Sequence, residues 1–429
     1  MEKTADRLSA KAGWFDIIEV SGTGTPLLFK NNRLHSVTES QNSGFGVRVS
    51  VNGKTGFSYT NDAACLDETA DRAVAMSEFG DAEDFDLPDK TGTPFEPYDK
   101  RIHAYDIKLE IGKAEDAITA ILRKFPAANI DCRVTGSHGG MRIVNSKGID
   151  QTYARSRYAA YLSAMLIHDD GSKIEVWEGT SALAPVPYES LKEKIMYKLA
   201  KALKNKKIPS GKVTVVVSPK ALARIIGIVT AGLNAESVWK GISPFAGKIG
   251  EPCFSADLTI CDEPDRSGSP YSYPFDGEGV SARKKFLVKQ GGIEKFVTDL
   301  KYARKLNLLP EGNGQRPYSA LPRPSFSNMV IGGGAEPYAG MLGNIKLGIL
   351  ADQFIGLGQS NTLTGDFSTG LDLAYLIENG EITGRVKDCM LSDNLFKLLA
   401  GEIAVSSDRE PVGSVLAPYI LFPQVNYTS

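Results

Sequence analysis

The sequence predicts an α+β fold: largely antiparallel sheets with flanking helices in an N-terminal part, followed by a strand- and glycine-rich C-terminal domain. Three observations carry this. Apolar and polar residues alternate on both sides of turn dipeptides, so hairpins recur. Helical periods fall in a few long blocks between the hairpins, the pattern of segregated helices and antiparallel strands. Glycine supplies 43 of 429 residues, about a tenth of the chain against a usual ~7%.

The elements follow in order. In residues 46–59, Val47, Val49 and Val51 alternate with polar positions, Asn52-Gly53 supplies a left-handed turn, and Thr55, Phe57 and Tyr59 return. Residues 66–79 carry Leu66, Ala70, Ala73, Val74 and Phe79 at helical spacing, with Asp62 upstream as a cap. Residues 80–100 are acidic and proline-bearing with no apolar period, and read as a surface crossover. Residues 107–125 repeat the helical period through Leu109, Ala114, Ile118, Ile121 and Leu122, and Pro126 ends them. Gly136, Gly139 and Gly140 around His138 read as a flexible turn. Residues 159–177 form a hairpin turning at Asp169-Asp170-Gly171. Residues 188–206 are helical, and Lys198, Lys201, Lys204, Lys206 and Lys207 read as a solvated end complementing the helix dipole.

Residues 204–211, with Pro209 and Gly211, mark a boundary. The chain divides there into 1–208, itself divisible into 1–100 and 101–208, and 209–429. The second part opens with a strand over 213–217 and a helix begun by Pro219. Strands over 285–288 and 293–297 meet at Gln290-Gly291-Gly292, and a hairpin over 374–386 turns at Asn379-Gly380.

Composition narrows the function. With 42% apolar and 23% charged residues the chain can bury a core, which excludes disorder as its main state. A net charge of −2 argues against direct binding of nucleic acid. No apolar run approaches the ~18 residues of a membrane span. The start MEKTADRLSA lacks the basic and apolar regions of a leader, so a cytoplasmic location is expected. Five scattered cysteines without a CxxC pair read as reduced thiols.

Familiar catalytic motifs are missing from the sequence. There is no phosphate-binding loop ending in Lys-Ser/Thr and no Gly-x-Ser-x-Gly elbow, and Gly356 and Gly358 lack a third glycine. The four histidines, His35, His103, His138 and His168, never fall within one helical turn of each other. The densest polar loops lie in the second part: Asp276-Gly277-Glu278-Gly279, then Gly312-Asn313-Gly314 with Arg316, Tyr318, Pro322 and Pro324, then Gly332 to Gly334, then residues 356–366. Such loops suit an extended peptide held through backbone hydrogen bonds, and equally suit hairpin tips needing positive φ.

At these loops a resemblance becomes specific. The ordered set of Asp276 to Gly279, Gly312 to Gly314 with Arg316, LPRP over 321–324 with Asn328, and AYLIENGEIT over 374–383 resembles the TldD/PmbA family. Residues 44–60, GFGVRVSVNGKTGFSYT, are similar to that family's opening domain. The resemblance, under the older name modulator of DNA gyrase, implies a cytosolic metallopeptidase system of two homologous subunits. The TldD type holds catalytic zinc on an HExxxH segment with a distant cysteine, and the PmbA (TldE) type lacks this and pairs with TldD. Here the corresponding segment reads Leu233 to Trp239, with Asn234 where the first histidine would fall, and 404–412 offers no cysteine. Cys389, on a strand expected after the 374–386 hairpin, is not that ligand. The resemblance therefore implies a PmbA/TldE-type subunit with no cofactor of its own, zinc being expected on a TldD-type partner.

Three functional readings follow. In the first, the chain is the partner of a TldD-type metallopeptidase acting on short or unfolded peptides. Asn234, Glu236, Asp276, Glu278, Asn313 and Arg316 then line a groove that positions peptide or buttresses the partner's site, and the chain pairs with its homologue or with itself. In the second, it is an autonomous hydrolase using a carboxylate pair or Cys253. In the third, it is a gyrase-associated regulator without direct DNA contact.

Overall fold

The computed structural model describes residues 1–92, 95–357, 361 and 363–429. Of the loop over 356–366, residues 358–360 and 362 lie outside the described residues. The first sheet holds β1 (Trp14–Lys30), β2 (Arg33–Val37), β3 (Ser40–Val51), β4 (Lys54–Thr60), β5 (Asn129–Asn145), β6 (Asp150–Ile167) and β7 (Lys173–Ala182). Its order is β4-β3-β1-β5-β6-β7 with β2 beside β1, and every pairing is antiparallel. The β3–β4 turn is made as the sequence predicts: Asn52 and Gly53 both take positive φ, at 52° and 78°, which matches the twist of the flanking strands.

Helices cover this sheet. After α1 (Glu2–Ser9), α2 (Leu66–Met76) packs Leu66, Ala70 and Ala73 on Phe15, Val47 and Val49. On the same face, further along the sheet, α3 (Ile107–Lys124) and α4 (Glu189–Ala202) bury Ile118, Ile121, Ile195 and Leu199 against β5 and β6. Asp106 caps α3, accepting from the N–H groups of Lys108 and Leu109 at 2.8 and 3.2 Å.

The second sheet is built from β8 (Asn205–Lys206), β9 (Gly211–Val217), β10 (Ile260–Asp262), β11 (Lys285–Lys289), β12 (Gly292–Ile293), β15 (Met329–Ile331), β16 (Leu347–Ile355), β17 (Asp366–Glu378), β18 (Glu381–Val386), β19 (Met390–Asn394), β20 (Ala404–Val412) and β21 (Val415–Thr428). A separate ribbon pairs β13 (Gly314–Gln315) with β14 (Arg323–Pro324). Strands β21, β9, β16 and β17 run in that order, and β19 pairs with both β17 and β21, which closes them into a barrel. Only β9–β16, β15–β21 and β8–β18 are parallel among the named pairs. The helices α5 (Pro219–Ile225), α6 (Gly227–Gly232), α7 (Ala235–Trp239), α8 (Leu300–Leu306), α9 (Tyr338–Gly343) and α10 (Leu395–Ala400) are short. Among the described residues no helix is long and apolar enough to cross a membrane.

Five expectations are corrected. The glycines around His138 lie mid-strand in β5, where Gly139 pairs with Gly22 of β1 and with Arg155 of β6. They mark a close approach: a Cβ at Gly139 would stand 2.1 Å from the Ser21 carbonyl oxygen. Gly139→Ala is therefore expected to cost about 1–3 kcal/mol by overpacking. Gly112→Ala, in open space on α3, is expected to stabilise by up to about 1 kcal/mol. Thermal melts of the two variants check both signs.

The crossover over 80–100 is not wholly superficial, since Phe85 and Leu87 are buried with Val280 and Leu300. The expected strand over 293–297 stops at Ile293, and Cys389, itself buried, lies just before β19 and not on a strand. The lysine-rich end of α4 is only partly solvated. Lys198 donates to Glu178 at 2.7 Å and to Asp352 at 2.9 Å, and Lys220 bridges the same two carboxylates at 3.2 and 2.9 Å. Burial alone would raise the Asp352 carboxyl, but the two ammonium groups hold it well below the usual range. This ion square ties β7 of the first sheet to α4, α5 and β16.

Candidate functional site

The Asp276 to Gly279 loop folds on its own side chain. Asp276 Oδ1 accepts from the N–H groups of Glu278 and Val280 at 2.9 and 3.0 Å, and Gly279 takes the positive φ that closes the turn. Its other oxygen accepts from Gly314 N–H at 2.7 Å, which fastens this loop to the one carrying Asn313 and Arg316. The fit leaves no room for a side chain at Gly314, where a Cβ would sit 2.2 Å from Glu278 Oε2.

From there the polar groups continue inward. Glu278 accepts from Arg48 Nη1 at 2.8 Å and from Leu300 N–H at 2.7 Å. Arg48 also donates Nε and Nη2 to Asp16, and Arg316 donates Nη2 to the other Asp16 oxygen and Nε to the Gly277 carbonyl. Asp16 and Glu278 are 0% and 1% exposed, so this is a buried chain of two carboxylates and two guanidiniums. It joins β1 and β3 of the first sheet to loops of the second part. The Arg48 guanidinium also lies 5.3 Å from the ring centres of Trp14 and Phe85. A parallel strand of the network runs through Asn313, which donates to Asp262 and to the Ser325 carbonyl, both at 2.8 Å, while Lys285 donates to Asp262 at 3.1 Å.

Charge is unevenly compensated. Burial pushes the Asp16 carboxyl up, yet Arg316 and Arg48 overcome this and hold it below the usual carboxylate range. Burial, with the neighbouring Glu278 charge, raises Asp276 to about 7 and Asp299, the cap of α8, to about 8. Arg316 Nη1 is buried without a hydrogen-bond partner among the described residues.

The structure thus brings Asp276, Glu278, Asn313 and Arg316 together as a buried frame and not as an open groove wall. Asn234 and Glu236 stand apart. Asn234 caps α7 through the Glu236 N–H at 2.9 Å and donates to the Pro324 carbonyl at 3.0 Å. Glu236 is held low chiefly by the Lys240 ammonium at 2.6 Å. Cys253 is half-buried, and burial pushes its thiol up, the opposite of an activated nucleophile.

What opens to solvent beside the frame is a cleft between the face of β1, β5, β6 and β7 and the segment around Tyr271. Two connected cavities of about 680 and 420 Å³ share Arg133, Thr135, Ser137, Arg157 and Tyr271. Gln315, between the inward-facing Gly314 and Arg316, lines it together with Ser325 and Ser327. The sequence reading missed Asp16, Arg48 and the arginines of the cleft.

Two family models match the chain: the PmbA/TldA metallopeptidase C-terminal domain over residues 210–429, and metallopeptidase domain 1 of the same family over residues 15–77. The chain belongs to the PmbA/TldD family. It is 28% identical over 409 residues to a metalloprotease of Methanothermobacter thermautotrophicus, covering 92% of this chain and 88% of that protein. To the metalloprotease PmbA homologue of Haemophilus influenzae it is 23% identical over 437 residues, covering 98% and 94% of the two chains. The crystal structure of TldE from Thermococcus kodakarensis superposes with a TM-score of 0.92, covering 100% of both chains at 21% identity, and so shares the fold.

A catalytic zinc, as a metallopeptidase would use, needs three protein ligands converging on one ion. The α7 segment presents an amide spent on a helix cap and on Pro324, a carboxylate engaged by Lys240, and the indole of Trp239. These residues do not fit the ion. Among the described residues no three His, Cys, Asp or Glu side chains are grouped as ligands.

Proposed function

We propose that this chain is the PmbA/TldE-type subunit of a TldD-type cytoplasmic metallopeptidase system that processes or degrades short or unfolded peptides, with zinc on the TldD-type partner. The donor set of α7 carries the reading: a family member whose metallopeptidase helix offers Asn234, Glu236 and Trp239 has no imidazole to give. Its contribution is then to hold peptide or complete the partner's cavity, with the buried frame of Asp16, Arg48, Glu278 and Arg316 keeping the first sheet in register with the loops of the second part.

The test mixes the purified chain with its TldD-type homologue. Light scattering is expected to show a mixed complex, and peptide cleavage is expected to exceed that of the homologue alone. Absence of both association and enhancement would sink the proposal. Cleavage by this chain alone, surviving a chelator, would point instead to an autonomous hydrolase.

A further inference from the structure

The cleft on the first sheet has a chemistry of its own. Its floor is smooth, because Gly22, Gly24, Ser137, Gly139, Ala159 and Gly179 project little or nothing from the strands. A face meant to be covered permanently by its own chain would carry large apolar residues there, as the opposite face does against α3 and α4. Over this floor stand Tyr161, Trp177 and Tyr271.

The charges are one-sided. Arg133, Arg155 and Arg157 line the cleft and are exposed, yet no Asp or Glu lines either cavity, in a chain with 51 carboxylates. Asp131 and Glu175 act on Tyr161 from outside the lining. Arg157 donates to the Tyr271 hydroxyl at 2.9 Å and lies 4.7 Å over its ring. Arg133 and Arg155 make no side-chain hydrogen bond or ion pair among the described residues, so their donors are available. Arg155 and Arg157 are two apart on β6, which spaces them by about 7 Å on one face. Alternate side chains of an extended peptide have the same spacing.

We propose that this cleft binds an extended peptide carrying carboxylates at alternate positions, its acids on Arg155 and Arg157, its terminus or a further acid on Arg133, and its apolar side chains against Trp177 and Tyr271. The proposal deepens the peptide-processing reading and rests on it. Peptide is favoured over a single-stranded nucleic acid because three guanidiniums on a chain of net charge −2 give little of the phosphate neutralisation that such binding needs.

The experiment titrates the chain alone with a short synthetic peptide bearing Glu at every second position, following tryptophan fluorescence, with Trp177→Phe to assign the signal. The expected result is saturable binding that weakens with salt. R133E/R155E is expected to raise Kd by about tenfold or more, since charge-assisted hydrogen bonds are lost and repulsion gained. R133Q/R155Q is expected to give a smaller rise, and both variants are expected to melt like the parent because these side chains hold nothing in the fold. Unchanged affinity in the reversed variant would overturn the proposal, as would equal binding of the lysine counterpart or tighter binding of a single-stranded oligonucleotide. Because the partner is absent from this titration, its failure leaves the association and cleavage test of the proposed function standing.

Discussion

Arg48→Met is expected to lose about 3–5 kcal/mol of folding stability, much of the ~5–15 kcal/mol a domain possesses. The cause is what the substitution leaves behind. Asp16 would keep only Arg316 as its ionic partner, and Glu278 would lose its salt bridge in a place where neither carboxylate reaches water. The thioether fills part of the space between Trp14 and Phe85 but returns no charge. Arg304→Met provides the contrast: its pair with Asp84 is exposed on both sides, and its loss is expected to leave stability as in the parent. Urea denaturation followed by circular dichroism measures both. If Arg48→Met unfolds within about 1 kcal/mol of the parent, the network does not hold the two parts together as described.

The local elements were legible because their signals are local. Asn52-Gly53 and Asn379-Gly380 take the left-handed conformation that an Asn-Gly pair accepts easily, and both hairpins form there. The cap of α3 and the proline-initiated α5 rest on one or two neighbouring residues each. What alternation could not show is which faces are covered. In β3 alternation alone would turn the polar residues between Val47, Val49 and Val51 to solvent, yet Arg48 and Ser50 are buried, Arg48 against Glu278 of the second part and beside Trp14 and Phe85. The Gly136 to Gly140 run misled for a related reason. Glycine permits a turn, but it also permits two strands to approach closely, and only the pairing partners decide which.

The candidate site was half legible. Asp276, Glu278, Asn313 and Arg316 are dense in polar groups and glycine, and they do meet in space. Their orientation was not readable, because it depends on Arg48 and Asp16, more than two hundred residues away in sequence. The cleft arginines lie on strands that looked structural, and their shared face follows only from the register of β5 with β6. Lys198 shows the same limit in reverse: a residue of a lysine-rich helix end is drawn inside by Asp352 and Glu178, supplied from distant strands.

Asp299→Asn is expected to stabilise the protein at alkaline pH and to leave it nearly unchanged in acid. Burial and the adjacent Glu278 charge raise the Asp299 carboxyl to about 8, whereas in the unfolded chain it titrates near ~3.9. Between these values the unfolded chain has released the proton that the folded one retains. The stability this carboxyl provides is therefore whole below about pH 4 and is lost progressively as the pH rises towards 8. Asparagine has nothing to ionise, and its side-chain oxygen can still accept from the Tyr302 N–H, as the carboxylate does at 2.8 Å, so the cap of α8 survives. Against the parent the variant should gain several kcal/mol more at pH 9 than at pH 5, about 4, because part of the loss has already begun by pH 5. Asp276, raised to about 7 by burial beside the same Glu278, keeps its three backbone N–H bonds in both proteins, and its charge adds to what raises Asp299. Denaturation curves of both proteins at the two pH values decide it, because an equal difference at pH 5 and pH 9 would mean that the folded protein does not hold this proton.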